Sequence, residues 1–268
     1  MSQQSSSNYS MRSRTNVLTI AGHDPTGGAG IQADIEVINN MQCHACSIIT
    51  TLTVQNTQNV ITISPVATDL INTQLQILCE DISLSAIKIG LLGSTKTVNI
   101  ITQRLKQYKD IPIVCDPVLS AGGGTVLAQP ELIDVLRRKL LPLTTLVTPN
   151  SLEARQLAPE GRDLNQCAKT ILSSGCQFVL ITGTHEPSDD VINQLYDQHG
   201  LVKSYHWPRL PYEYHGSGCT LSTAIATQLA QGATMTDAVE QAQQYTWDSL
   251  NTGYQPGQHQ YVPNRLRN

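Results

Sequence analysis

Short apolar, β-branched segments alternate with segments of helical periodicity along most of the 268-residue chain. The apolar segments are "NVLTIAG", "CSIITTLTV", "AIKIG", "IPIVCDP", "TTLVTPN" and "FVLITG". The helical patterns between them are "GIQADIEVINNM", "ELIDVLRRKLL" and "LNQCAKTILSSG", with further helices over about 69–79 and 97–108. Because strands that alternate with helices form parallel sheets, this order predicts an α/β fold whose mostly parallel central sheet is covered by helices.

The length of the chain suits one large α/β domain, and neither an internal repeat nor a linker divides it. We predict a single domain over residues 16–268. Residues 1–15 begin with the polar, serine-rich stretch "MSQQSSSNYSMRSR", which has no hydrophobic pattern and is predicted to be a disordered leader. Near the other end, "VINQLYDQHGLVKSYHW" predicts a hairpin that turns at "DQHG", followed by a glycine turn and two closing helices.

Composition narrows the classes of partner. A net charge of −4 lacks the basic excess of a nucleic-acid binder, so we expect small-molecule partners and no nucleic acid. Neither a signal peptide nor a long apolar stretch is present, so we expect no membrane segment. The seven cysteines are odd in number and scattered, which argues against a disulfide framework. These features predict a cytoplasmic protein with reduced thiols.

The stretch "HGSGCTLSTAIATQLAQG" places glycines 216 and 218 directly before an amphipathic helical pattern. Glycine permits a positive φ and the close approach of a ligand to the main chain. We expect the helix to begin near Gly218, with Thr220 as a possible cap and with unpaired N–H groups that favour an anion such as phosphate. The same field would lower the pKa of Cys219 toward the thiolate. The alternative is an ordinary loop-to-helix junction in which the cysteine packs as a small hydrophobe.

Other polar residues follow predicted strands, where ligands bind in open α/β sheets. "AGHDPTGGAGIQAD" is a second glycine-rich turn, but it matches neither the dinucleotide fingerprint nor the lysine-bearing phosphate loop. Asp116 stands at a strand end, and Asn150 and Glu153 stand three residues apart at a helix start. Such oxygen ligands suit Mg²⁺. The alternative for the second pair is plain capping, with Asn150 as the N-cap and Glu153 completing a capping box.

Taken together, six segments resemble the hydroxymethylpyrimidine and phosphomethylpyrimidine kinases of thiamine biosynthesis, which belong to the ribokinase-like superfamily. The segments are "TIAGHDPTGGAGIQADI", "TLTVQNT", "IKIGLLGS", "CDPV", "VTPNSLEA" and "HGSGCTLS". The resemblance covers the chain from about residue 17 onward. It implies a ribokinase-like three-layer α/β sandwich that uses ATP and Mg²⁺. The implied activity phosphorylates 4-amino-5-hydroxymethyl-2-methylpyrimidine and then its monophosphate, giving the diphosphate.

The resemblance also implies roles for individual residues and a homodimeric assembly. The implied substrate-binding residues are Gly22, Asp34 and Gln55. The implied metal site contains Asp116 and Glu153. The implied nucleotide-binding residues are Asn150, Thr182, Gly183 and Ser217. The implied catalytic residues are Gly216, Gly218 and Cys219, which form the anion hole, with the cysteine at the position where sugar kinases of the superfamily carry an aspartate base.

The chain departs from the family pattern at two positions. Many members carry lysines where this chain has approximately Gly122 and Thr182. Either Lys88 or main-chain N–H groups of the glycine run compensate for these cations, or the affinity for ATP is weaker.

Several other motifs have ordinary interpretations. "CHAC" is expected to pack in the core, "HEPSDD" to form a solvated loop, and His215 to make structural hydrogen bonds. "WPRLPYEY" fits a surface turn or a nucleotide edge about equally well. Two rival functions remain. One is a pyridoxal or pyridoxine kinase, and the presence of Gln55 beside Asp34 argues against it. The other is a catalytically silent pyrimidine-binding module, and the presence of residues suited to magnesium and phosphate argues against that.

Overall fold

A computed structural model of the chain describes residues 14–266. Over these residues, nine strands form one sheet in the order β3-β2-β1-β4-β5-β6-β7-β8-β9. The strands are β1 (Asn16–His23), β2 (His44–Gln55), β3 (Val60–Pro65), β4 (Ala86–Ile89), β5 (Ile113–Cys115), β6 (Leu146–Val147), β7 (Phe178–Ile181), β8 (Asp190–Asp197) and β9 (Gly200–Pro208). The central strands, in the spatial order β2-β1-β4-β5-β6-β7, pair in parallel. Strand β3 is added antiparallel at one edge, and β8 and β9 are added antiparallel at the other.

Helices cover both faces of this sheet. They are α1 (Gly30–Asn40), α2 (Thr68–Asp81), α3 (Thr95–Leu105), α4 (Pro130–Val135), α5 (Ser151–Leu157), α6 (Leu164–Ser173), α7 (Ser217–Ala230) and α8 (Met235–Asn251). Helices α2 to α6 bury apolar side chains in one core cluster, and α1, α7 and α8 bury theirs in a second. The structure is therefore a three-layer sandwich, and the α/β prediction is confirmed.

Strand β5 shows how the sheet separates the two cores. Successive residues of a strand point to opposite faces. Accordingly Ile113 and Cys115 pack in the cluster with α2 to α6, while Val114 packs with α7 and α8. All three are buried, which explains why the central strands are short continuous apolar runs.

The structure differs from the prediction in two elements. The prediction contained no strand at 60–65, where β3 pairs antiparallel with β2 at the sheet edge. The segment "ELIDVLRRKLL" forms one α-helical turn and a half in α4 and then continues as a π-helical segment at Leu136–Leu140 and a 3₁₀ turn at Leu141–Leu143. Pro142 lies in that turn, and a proline cannot continue a helical hydrogen-bond ladder.

The predicted leader falls mainly on residues 1–13, which lie outside the described residues, and its disorder stays a prediction. Of its last two residues, Thr15 accepts a hydrogen bond from the His44 N–H at 2.8 Å. Between residues 14 and 266, the helices are too short or too polar to cross a membrane. All seven cysteines are free thiols, and Cys43 and Cys46 of "CHAC" are buried, as expected for core packing.

Candidate active site

Polar residues from several strands meet at the carboxyl edge of the parallel sheet. Asp116 directly follows β5, and Asn150 and Thr182 follow β6 and β7. Asn150 and Thr182 form an isolated parallel bridge, so they lie side by side. Helix α7 begins above Asp116: a Cβ placed on Gly218 would lie 3.8 Å from both carboxylate oxygens of that aspartate. The structure thus brings the predicted metal, nucleotide and anion-hole residues to one edge.

The turn before α7 leaves the start of the helix open. The N-cap is Gly216, in the left-handed region at φ +82°, and it offers no side chain to the first N–H groups. No acidic residue stands in the first turn of α7 either. The expectation that Thr220 caps this helix is wrong, because its hydroxyl donates instead to the Gly216 carbonyl oxygen at 2.8 Å. An external anion is therefore the natural partner of these N–H groups.

The pKa of the Cys219 thiol is shifted in the opposite direction to the one expected from sequence. Burial raises the pKa of its thiol to about 12; Lys88 opposes the rise, and the negative charges of Asp116 and Asp34 add to it. The N–H of Gly30 also favours the thiolate, but this contact and Lys88 together are too weak to reverse the direction. A thiol with this pKa is protonated at neutral pH, so the prediction of a lowered pKa is wrong.

Beneath Cys219, Lys88 and Asp34 form a fully buried ion pair. The Lys88 ammonium donates to both Asp34 oxygens at 2.9 Å, and the hydroxyls of Thr19 and Thr223 donate to the same carboxylate. Burial is the largest single influence and alone would lower the pKa of Lys88. The charges of Asp34 and its other acidic neighbours, together with the hydrogen bond to Asp34, outweigh burial and raise that pKa, so the lysine stays charged. Since Asp34 has no exposed surface, this arrangement disfavours the predicted contact with a substrate ring. Lys88 likewise has no exposed surface.

Asp116 and Glu153 are two buried carboxylates that repel each other. Burial and the charge of Asp116 raise the pKa of Glu153 to about 8, and burial also raises the pKa of Asp116 although Lys88 opposes it. The capping interpretation is confirmed: the Asn150 amide oxygen accepts from two N–H groups of α5, and Glu153 accepts from the Asn150 N–H at 3.0 Å. The remaining lone pairs of these carboxylates fit a hard cation. No group of three metal-ligating side chains occurs among residues 14–266, so such an ion would need water or phosphate oxygens as further ligands.

Gln55 belongs to a network that sequence reasoning did not find. The Nε2 atom of His215 lies 2.7 Å from an Asp24 carboxylate oxygen and 3.3 Å from the Gln55 side-chain nitrogen. The Asp24 carboxylate also accepts from the N–H groups of Thr26 and Ala29, each at 2.8 Å. Burial opposes the ionisation of Asp24, but these donors and the charge of His215 hold its pKa below the ordinary value. The structural role predicted for His215 is therefore confirmed.

Close packing explains two of the predicted glycines. A Cβ on Gly183 would lie 2.2 Å from the Ile192 carbonyl oxygen, and one on Gly22 would lie 3.0 Å from the Thr51 methyl group. Gly183 also donates its N–H to the Asn193 side chain at 3.1 Å. The nearby loop is anchored by Arg209, whose guanidinium donates to the carbonyl oxygens of Thr184, Glu186 and Ser188. At Gly122, one of the two positions where many family members carry a lysine, the nearest side chain is that of Gln260.

Sequence reasoning missed two residues of this site, Asp24 and Arg265. A signal for Asp24 was present, because "DPT" is typical of an Asx turn in which the side chain accepts a nearby N–H. Arg265 stands in a polar stretch near the end of the chain with no local pattern, yet it is 2 % exposed.

The three-layer sandwich, its open helix start and the paired carboxylates at the sheet edge together define a small-molecule kinase of the ribokinase-like class. A sequence model of the family described as phosphomethylpyrimidine kinase matches residues 24–264. The hydroxymethylpyrimidine/phosphomethylpyrimidine kinase of Escherichia coli (strain K12) is 35% identical over 243 residues, which cover 88% of this chain and 91% of that protein. The chain belongs to the phosphomethylpyrimidine kinase family.

Two solved structures show the same fold. The pyridoxal kinase of Bacillus subtilis, solved as an ADP complex, superposes with a TM-score of 0.85 at 29% identity and covers 94% of this chain and 98% of its own. The phosphomethylpyrimidine kinase of Clostridium difficile 630 superposes with a TM-score of 0.77 at 32% identity, covering 88% of this chain and all of its own.

Proposed function

We propose that this enzyme transfers the γ-phosphoryl group of ATP to the hydroxymethyl group of 4-amino-5-hydroxymethyl-2-methylpyrimidine, and then to the resulting monophosphate, in thiamine biosynthesis. The observation that carries the proposal is the open start of α7 above Asp116, found in a chain of the phosphomethylpyrimidine kinase family. An anion-binding helix start beside paired carboxylates suits the transfer of a phosphoryl group that arrives with a cation.

In the first reaction the acceptor hydroxyl oxygen attacks the γ-phosphorus of ATP. A new O–P bond forms, the bond from the γ-phosphorus to the bridging oxygen of ADP breaks, and the hydroxyl proton is released. We assign the N–H groups of Gly216, Gly218 and Cys219 to the negative charge that develops on the transferring group. Ser217 in the same turn, and Asn150, Thr182 and Gly183 at the neighbouring strand ends, would contact the nucleotide.

Asp116 and Glu153 are the residues that would hold Mg²⁺. Their burial and mutual repulsion favour a cation between them, and Mg²⁺ prefers one or two carboxylates with phosphate oxygens completing its shell. The ion would supply neutralisation of the phosphate charge. Glu153 would release its proton as the cation binds, because the charge of the ion favours the ionised carboxylate.

Cys219 is the proposed acceptor of the hydroxyl proton in the first reaction only, because the second acceptor arrives as a phosphate anion. A thiol with a pKa of about 12 supplies little thiolate at neutral pH, so the first phosphorylation should accelerate as the pH rises from about 7 to 10. In Cys219→Ser this rise should vanish, and the first step should fall by about 10²–10⁴ while the second falls much less. Equal losses in both steps would instead assign the thiol to shaping the anion hole.

A second candidate function differs from the proposed one in the acceptor that is phosphorylated. The structural likeness to a pyridoxal kinase favours a pyridoxal-type acceptor as the alternative. The deciding experiment is a product assay with ATP, Mg²⁺ and each acceptor in turn: the hydroxymethylpyrimidine, its monophosphate and pyridoxal. Phosphorylation of both pyrimidines supports the proposal, and exclusive phosphorylation of pyridoxal overturns it. Binding without turnover in every case would indicate a silent pyrimidine-binding module.

Gln55 is the proposed reader of the pyrimidine ring. The Gln55 side-chain nitrogen lies 3.3 Å from His215 Nε2, and the amide can offer a donor and an acceptor to the ring edge. In Gln55→Leu the acceptor KM should rise while the nucleotide KM stays nearly constant. Gln58→Leu, on the same hairpin but exposed, is the matched control and should change neither constant.

The proposal also includes assembly and domain organisation. We expect residues 16–268 to act as a single kinase domain, working in the cytoplasm as a homodimer. Light scattering on the purified protein measures the assembly directly, and a monomeric mass at the concentration of full activity would contradict it.

A further inference from the structure

The segment after α8 runs back to the turn before α7, where the His215 N–H donates to the Tyr261 carbonyl oxygen, and it places Arg265 beside the active site. Its backbone is tied to α8: the Asn264 N–H donates to the Ser249 carbonyl oxygen at 2.8 Å, and the Tyr245 hydroxyl donates to the Arg265 carbonyl oxygen at 2.7 Å. These bonds direct the Arg265 side chain into the protein, where only 2 % of it is exposed. An arginine buried to this extent needs hydrogen-bond acceptors and a counterion around it.

One side of the Arg265 guanidinium binds the turn before α1. Its Nη1 atom donates to the Gly27 carbonyl oxygen at 3.4 Å, and its Nη2 atom donates to the Gly28 carbonyl oxygen. Nη1 also forms an ion pair at 3.0 Å with Glu36 of α1, which is itself partly exposed. The guanidinium therefore joins the first glycine turn to the helix that follows it.

The other side of the same guanidinium binds the turn before α7. The Arg265 Nε–H donates to the Thr220 hydroxyl oxygen at 2.9 Å, and that hydroxyl donates to the Gly216 carbonyl oxygen at 2.8 Å. The packing here leaves no space: a Cβ on Gly216 would lie 1.9 Å from the Gly28 carbonyl oxygen and 2.8 Å from Arg265 Nη2. One side chain thus binds the main chain of the first turn directly and that of the second turn through the Thr220 hydroxyl.

These two turns face each other across Cys219, whose thiol receives the Gly30 N–H from the start of α1. Because the guanidinium is a planar fork with fixed donor directions, its contacts to both turns set the distance between the two helix starts. We propose that Arg265 is a positioning residue that holds the two glycine turns in register for phosphoryl transfer. This inference rests on the proposed function of the site, and a displacement of about 1 Å at such a site can lower the rate by 10²-fold.

The test compares Arg265→Gln with Arg265→Lys. Arg265→Gln should lower kcat of the first phosphorylation by about 10²-fold with a smaller change in the acceptor KM. Arg265→Lys keeps the positive charge but lacks the planar guanidinium. On a logarithmic scale it should therefore recover less than half of the loss in kcat seen in Arg265→Gln. Arg138→Gln, which removes an exposed arginine paired with Asp134, is the control and should stay within twofold of the parent. Full recovery in Arg265→Lys, or an unchanged kcat in Arg265→Gln, overturns the proposal.

Thr220 provides a second test that keeps Arg265 in place. Thr220→Val breaks the hydroxyl relay to Gly216, whereas Thr220→Ser preserves it. We expect a fall in kcat of about tenfold for the valine variant and near-parental activity for the serine variant. The double variant with Arg265→Gln should lose less than the product of the single losses, because both changes break one path. Equal kcat in the two Thr220 variants contradicts the relay.

Amide hydrogen exchange separates this inference from the proposed function. In Arg265→Gln the hydrogen-bonded amides of both turns, at 27–29 and at Thr220, should exchange faster, while those of β4 and β5 stay protected. If the parent protein phosphorylates none of the acceptors but shows this paired change, the proposed function fails and the coupling of the turns holds. If only one turn changes its exchange, the positioning role is wrong.

Discussion

The two glycine-rich turns of this protein have similar compositions but opposite electrostatic states. The first turn contains its own anion, because the Asp24 carboxylate accepts the N–H groups of Thr26 and Ala29 and pairs with His215. The second turn contains no anion: its N-cap is a glycine, and α7 has no acidic residue in its first turn. The first turn is therefore closed from within, while the second is ready for an external anion.

This difference shows that glycine provides only the shape of an anion-binding turn. Whether such a turn binds a ligand depends on whether a side chain already satisfies its N–H groups. Here the closed turn holds His215, which lies against Gln55, and the open turn is the proposed phosphate site.

The largest effect is expected when the open turn loses its shape. Gly216→Ala would place a methyl group against the Gly28 carbonyl oxygen in a left-handed conformation, so the turn must shift. We expect turnover to fall by about 10³-fold or more, from misplacement of the anion hole. Gly232→Ala is the control: φ is +91° there but nothing lies within 4 Å, so it should cost about 1–2 kcal/mol of stability and leave kcat unchanged. Similar kinetics for the two variants would remove the special role of Gly216.

The next effect comes from making the open turn resemble the closed one. Ser217→Asp places a carboxylate at the start of α7, where it should stabilise the helix by about 0.3–1 kcal/mol. The same carboxylate competes with phosphate, so the KM for ATP should rise by about 10–100-fold. Ser217→Asn keeps the size without the charge and should leave the KM within a few-fold. Steady-state kinetics and urea unfolding measure both quantities, and an unchanged KM in the aspartate variant would contradict an anion site.

A smaller effect is expected from opening the closed turn. Asp24→Asn removes the carboxylate that accepts the turn N–H groups and should destabilise the fold by about 1–3 kcal/mol at neutral pH. Because the pKa of Asp24 is lowered in the folded protein, its contribution is present at higher pH and is lost as the pH falls through that folded value, below about 4. The stability difference between parent and variant should therefore shrink in this acidic window. Asp197→Asn, in the β8–β9 turn, is the control and should show a smaller difference at every pH.

The last effect is a pH dependence and concerns the carboxylates beside the open turn. The pKa of Glu153 is raised to about 8 in the folded protein, so the protein binds this proton more tightly than the unfolded chain does. Without metal, the stability of the parent should fall as the pH rises from about 4.5 to 8, by on the order of 1 kcal/mol between pH 6 and 7. Glu153→Gln should lack this slope, and saturating Mg²⁺ with ATP should flatten it in the parent. A parent slope that survives the substitution would assign the titration elsewhere.

Local patterns predicted the parts of the site whose residues are neighbours in the chain. The capping box of Asn150 and Glu153 was visible because the two residues lie three positions apart at a helix start. The start of α7 was predicted within one residue, and the hairpin turn at "DQHG" was predicted correctly. Strand β3 was missed although its β-branched, alternating "VITIS" is a strand signal; it lies at the sheet edge, where Val60 is its one buried residue.

By itself, the sequence determined the alternation of the central strands with helices, the glycine-rich character of both turns and the family to which the chain belongs. Only the tertiary structure decided that Asp34 pairs with Lys88, 54 residues away, and that the Cys219 thiol is protonated. It also decided that Arg265 joins two turns, one more than 200 residues and the other 45 residues before it in the chain. The physical reason is that ionisation and hydrogen-bond partners depend on distance and on removal from water. Both are set by the packing of segments that are remote in the chain.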